Sequence, residues 1–187
     1  MPTRFVLAFI AVVSAFLWSS CSDDPNEGKP IPPQELQAIL SVTSDFQKAL
    51  VVDGVLTFVE YESGVLSYID CMEKAGFPLE SLELGARQQY VYTIHGPRDE
   101  GLERGRAIHD QCHRTYLREI GRLWAFLNRP TEAEVQAARG ALADCLREQG
   151  AEVPVDPGPG ELGPWMPGFE ICSQKVSTEY DLPGFGG

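Results

Sequence analysis

Positive charge is scarce in this chain of 187 residues, where 15 Lys and Arg stand against 27 Asp and Glu for a formal net charge of −12. A polyanion is held by a basic stripe, so the composition argues against nucleic acid as a partner. The acids are spread along the chain without a polyanionic block. Solubility beside an anionic membrane surface accounts for them, with Ca2+ or a basic partner as the weaker explanation. Histidine is scarcer still: only His95, His109 and His113 are present. The chain also lacks G-x-S-x-G, S-x-x-K and a Gly-rich phosphate loop following a strand, which removes the usual signatures of an activated nucleophile or a nucleotide site. We therefore expect no catalytic residue and no enzyme. The apolar run Phe5 to Trp18 is fourteen residues long, short of the roughly 20 that a spanning helix needs.

What is present begins with that run. Arg4 supplies a positive start, and Ser19-Ser20-Cys21 closes it with small side chains and a thiol. The segment resembles a lipoprotein signal peptide, which implies removal of residues 1–20 and lipidation (palmitate and diacylglycerol) of Cys21 as the mature first residue. Trp18 departs from the bacterial lipobox, which has Leu, Val or Ile there; Leu17 lies one place further out. Cleavage by an ordinary signal peptidase would free the domain, and retention would leave an apolar anchor. Each route exports it.

The mature 167 residues amount to one domain. Residues 21–32, with Asp23, Asp24, Asn26, Glu27 and several prolines, read as a flexible tether. A helix is expected from Pro33 through Leu36, Ile39, Leu40, Phe46 and Leu50 up to Asp53-Gly54. Thr57 and Glu60 form a capping box, with Leu56 and Tyr61 as its hydrophobic staple, opening a helix that stops at Gly76. Leu79–Leu84 and Gln88–Ile94 read as a β-hairpin around Gly85 that must lie on helices. Ile108 to Leu127 carries a helical stripe. Thr131 and Glu134 repeat the capping box and open a helix ending at Gly150. The Pro- and Gly-rich loop 151–168 should be pinned to the body by Trp165 and Met166, before a last short helix over 169–180. The expected fold is mainly α: a disulfide-stapled domain of about five helices with one small antiparallel hairpin, spanning 33–187 in modules of about 33–129 and 130–187.

Cys71, Cys112, Cys145 and Cys172 remain after Cys21, an even number that argues for two disulfides in an exported chain. Four cysteines allow three pairings. Cys71-Met-Glu-Lys-Ala-Gly76 and Cys145-Leu-Arg-Glu-Gln-Gly150 repeat one pattern, each followed by a Pro-containing loop and one more Cys. The echo suggests Cys71–Cys112 and Cys145–Cys172; similar helix ends alone would also produce it.

Two strings could hold a metal. Asp53-Gly54 through Glu60 matches the second half of an EF-hand loop, but Ala49 and Val51 occupy loop positions one and three, leaving two carboxylates for Ca2+. His109-Asp-Gln-Cys-His113 places two imidazoles four apart on one helix face, one residue short of H-E-x-x-H. No downstream ligand motif follows, and Cys112 is wanted for a disulfide, so no metal site and no cofactor are expected.

Asp53-Gly-Val-Leu-Thr-x-x-Glu60-Tyr61, Tyr68-Ile-Asp-Cys71, Ala143-Asp-Cys145-Leu-Arg-Glu-x-Gly150 and the four-Cys layout resemble small actinobacterial exported lipoproteins of uncharacterised function. The resemblance implies an extracytoplasmic helical domain and supplies no catalytic residue. The expected function is non-catalytic binding or scaffolding at the cell membrane, held there by the lipid, with an envelope protein or cell-wall component as partner. The alternative is a metal-dependent hydrolase using His109 and His113.

Overall fold

The computed structural model describes residues 27–96, 102–158 and 160–182; residues 1–20, Cys21 and the first half of the tether, 21–26, lie outside them. The architecture is mainly helical, with two small antiparallel sheets and two disulfides. The described elements are β1 (Lys29–Pro30), α1 (Pro33–Val42), α2 (Asp45–Ala49), β2 (Val55–Leu56), α3 (Phe58–Lys74), β3 (Leu79–Leu84), β4 (Tyr90–Ile94), α4 (Leu102–Tyr116), α5 (Arg118–Leu127), α6 (Glu132–Glu148) and α7 (Phe169–Glu179).

Both capping boxes form. The Thr57 hydroxyl accepts the Glu60 N–H at 3.2 Å while the Glu60 carboxylate accepts the Thr57 N–H at 2.7 Å, and Thr131 with Glu134 repeats the exchange at 3.2 and 2.6 Å. The echoed helix ends match bond for bond. Gly76 and Gly150 take φ of +89° and +82°; Gly76 N–H donates to Glu73 O and Phe77 N–H to Met72 O, as Gly150 does to Arg147 O and Ala151 to Leu146 O. Each is a Schellman stop, which only a residue free to adopt positive φ closes without strain. Cys71 bonds Cys112 and Cys145 bonds Cys172.

The structure has seven helices among the described residues rather than five, because two expected helices are broken. The first breaks at Ser44, whose hydroxyl caps α2 by accepting the Gln47 N–H and donates to Thr115 O. The second breaks at Leu117, between α4 and α5. One fully buried side chain serves that second break: Gln47 Nε2 donates to Arg114 O and Thr115 O, and its Oε1 accepts from Glu119 and Ile120 N–H at 2.9 and 3.2 Å. A buried helix terminus leaves backbone groups without partners, and Gln47 supplies them.

The tether also ends earlier than expected. Lys29 pairs with Leu56 and Pro30 with Val55 in a second small sheet, Ile31 is buried, and its N–H donates to Gly54 O. The expected hairpin forms as β3 and β4, with a 3-10 turn over Ala86–Gln88 in place of the first expected strand residue. Trp165 does not pin the Pro-rich loop: it is 70% exposed, and Met166 packs on the helices instead.

Apolar residues gather in two clusters. The larger joins α1, α3, α4, α5, β2 and the hairpin around Ile39, Val65, Ile120, Leu123 and Trp124. The smaller joins α6 and α7 around Leu142, Leu146 and Val176. Each cluster contains its own disulfide, Cys112 in the first and Cys145 with Cys172 in the second.

Candidate functional site

A cleft of about 490 Å³ lies where the two clusters approach, lined by residues that include Lys29, Phe58, Arg87, Gln88, Trp124, Asn128 and Asp181. Its volume suits a small ligand. β1 supplies Lys29, the α3 start supplies Phe58, the end of α5 supplies Trp124 and Asn128, the hairpin turn supplies Arg87 and Gln88, and Asp181 follows α7. The floor is rigid. Trp124 stacks on Tyr61 with ring centroids 5.0 Å apart and planes 6° from parallel, and its indole N–H donates to Gln88 O at 3.0 Å.

Lys29 is half-buried, with Nζ 5.9 Å from the Trp124 ring centroid. It donates to Asn128 Oδ1 at 2.6 Å, and buried Asn128 is itself fixed by donating to Trp124 O at 2.8 Å. An ammonium has three donors; here one meets a neutral amide, and no carboxylate pairs with Lys29 among the described residues. Its charge stays available to the cleft, although Glu27 and Asp181 also line it.

Arg87 is committed elsewhere. Its backbone N–H donates to Asp181 Oδ2, Nε to Asp181 O, and its guanidinium to Glu134 at 3.1 Å. The Thr131 N–H and hydroxyl, with Arg87 beyond them, pull the Glu134 carboxyl down to about 2. The backbone of the cleft is strained as well. Arg87, Gln88 and Asp181 have φ of 56°, 55° and 50°, the left-handed region that costs an L-residue roughly 1–2 kcal/mol. They are the only such non-glycine residues among the described residues, and all three line this cleft. Strain of this kind gathers at binding sites because surrounding contacts must hold it.

The residues singled out in the sequence lie elsewhere. His109 and His113 face one another on α4, ring centroids 5.3 Å apart and planes 13° from parallel. The Tyr68 hydroxyl meets His109 Nδ1 at 2.8 Å. Burial first, then neighbouring His109 and Arg118, lower the His113 pKa below its ordinary value; burial and Tyr92 push the Tyr68 phenol well up. Among the described residues no group of three His, Cys, Asp or Glu is gathered as metal ligands. Asp53 and Glu60 have structural tasks: Asp53 Oδ1 accepts the Val55 N–H and Glu60 closes the capping box. Cys21 lies outside the described residues.

Sequence reasoning missed Lys29 and Arg87. Lys29 sat in the presumed tether, although Ile31 between prolines was a trace of an ordered extended segment. Nothing marks Arg87-Gln88 as left-handed, since Gly or Asn is the usual occupant. No protein-family model, curated protein or solved structure matches this chain.

Proposed function

We propose that the chain is a non-catalytic binding protein of the cell envelope, anchored through lipid on Cys21, which takes the carboxylate or phosphate group of an envelope component into the Lys29–Trp124 cleft. The observation that carries this reading is the half-buried ammonium of Lys29, held over an indole by a neutral amide and lining a cleft built from strained backbone. An anion would meet unused ammonium donors there, and charge-assisted bonds are about twice as strong as neutral ones. Two disulfides mark an oxidising, extracytoplasmic setting, and the signal-like start supports membrane attachment by lipid.

The test is fluorescence of Trp124 in a Trp165→Phe background of the mature protein, titrated with inorganic phosphate and with acetate. One or both should shift the emission, and Lys29→Gln should weaken binding at least about tenfold. Equal responses with and without Lys29 would sink the anion reading. The anchor is tested separately: Cys21→Ala should move the protein out of the membrane fraction or stall its processing, and unchanged detergent partitioning would refute lipidation.

A further inference from the structure

The histidine pair is independent of the cleft and carries chemistry of its own. We propose that His109 and His113 chelate a divalent transition-metal ion of the Cu2+, Ni2+ or Zn2+ type on the surface of α4, with Tyr68 orienting the first imidazole and water completing the coordination.

Geometry is the main support. A metal bonded at about 2.0–2.1 Å to one nitrogen of each ring, with a tetrahedral angle between the bonds, places the ring centroids about 5 Å apart; the observed separation is 5.3 Å. The ion must lie in both ring planes, so the nearly parallel rings, 13° apart, turn about their side-chain bonds to share it. One helical turn supplies this spacing, and the Cys71–Cys112 disulfide beside His113 ties that turn to α3, so the backbone that carries the pair is held before the metal arrives. His109 is exposed and His113 half-buried, which leaves the pair open to solvent from one side.

The hydrogen bond between Tyr68 and His109 adds direction. Ligating imidazoles use their second nitrogen to hold an outer partner that fixes ring and tautomer. Tyr68 fills that place: it is 2% exposed, packs on Tyr92 with centroids 5.4 Å apart, and meets His109 Nδ1 at 2.8 Å. With Nδ1–H donating to the phenol oxygen, His109 Nε2 keeps its lone pair for the ion. Metal binding selects that tautomer. The donor set also sets the metal class: Cys112 is locked in its disulfide and offers no thiolate, so imidazole ligands favour Cu2+, Ni2+ and Zn2+ over Cu(I) or Ca2+.

The experiment is titration of the mature, disulfide-intact protein with Cu2+, Ni2+ and Zn2+ by calorimetry, together with the electron paramagnetic resonance spectrum of the Cu2+ form. One ion should bind per chain, with hyperfine splitting from two nitrogen donors. His109→Ala and His113→Ala should each weaken binding at least about tenfold, Tyr68→Phe about 10–100-fold, and His95→Ala not at all. Because the spectrum is read on the unmodified protein, misfolding of a variant cannot rescue the proposal. Failure to bind any of the three ions, a spectrum with no nitrogen donor from the pair, or unchanged affinity in the folded His109→Ala and His113→Ala proteins would overturn it. None of these outcomes bears on Lys29.

Discussion

Gln47 is fully buried in the first core, and its side chain hydrogen-bonds four backbone groups. Gln47→Leu preserves volume but strips partners from Arg114 O, Glu119 N–H and Ile120 N–H and leaves Thr115 O with Ser44 alone. Leaving buried polar groups unpaired costs about 1–3 kcal/mol. The variant should lose about 3 kcal/mol in urea unfolding; a loss below about 1 kcal/mol would mean that water enters and replaces the amide. The cap residues act at the same scale. Thr57→Ala and Thr131→Ala each remove one side-chain acceptor from a helix start and should cost about 0.5–2 kcal/mol. Thr57 should sit at the upper end because its box is half-buried while that of Thr131 is exposed. Equal, negligible shifts in melting temperature would show that the boxes are surface decoration.

Helix starts and stops were legible because their signals are local. Thr57, Thr131, Gly76 and Gly150 each act on backbone within five residues, and the structure places a cap or a Schellman stop at every one. Breaks made by distant partners were not legible. Leu117 interrupts an unbroken apolar stripe where Gln47, 70 positions earlier, satisfies the backbone groups that the break leaves without helical partners; no window centred on Leu117 contains that information. The Lys29–Leu56 pairing failed for the same reason, and a two-residue strand has no period to read. The candidate cleft is assembled from five such distant segments, which is why its residues were invisible while the histidine pair, set by one helical turn, was plain. The disulfides belong to the element scale as well. They close separations of 41 and 27 residues, worth about 3.5–4 kcal/mol each on the loop-entropy model. Replacing Cys145 and Cys172 by Ala should destabilise α6 and α7 more than replacing Cys71 and Cys112 destabilises α3 and α4, because the second cluster is smaller. Hydrogen exchange resolves the two; faster exchange confined to α3 and α4 on loss of Cys145–Cys172 would contradict this.

Across the whole molecule, Arg87 links the two clusters. It sits in the hairpin of the first, donates to Glu134 at the start of α6, and holds Asp181 just past α7 by two bonds. The link depends on pH in a defined sense. The Thr131 hydrogen bonds lower the Glu134 carboxyl most and Arg87 adds to them, from 4.5 unfolded to about 2 folded, so the Arg87 share is complete above the unfolded value and fades as pH falls through the folded one. Arg87→Ala keeps the backbone hydrogen bond to Asp181 but removes the side-chain bonds, and it retains the strain of a left-handed non-glycine residue. Arg87→Gly removes the same side chain and relieves that strain, about 1 kcal/mol. Near neutral pH, both variants should broaden or split the single melting transition expected of the mature protein in calorimetry, with Arg87→Gly melting above Arg87→Ala. The gap between the variants should persist at low pH, while the gap between wild type and Arg87→Ala narrows as pH falls from 4.5 towards about 2 and Glu134 takes up its proton. One sharp transition at the wild-type temperature in both variants would show that packing alone, without the Arg87 link, joins α6 and α7 to the rest of the chain.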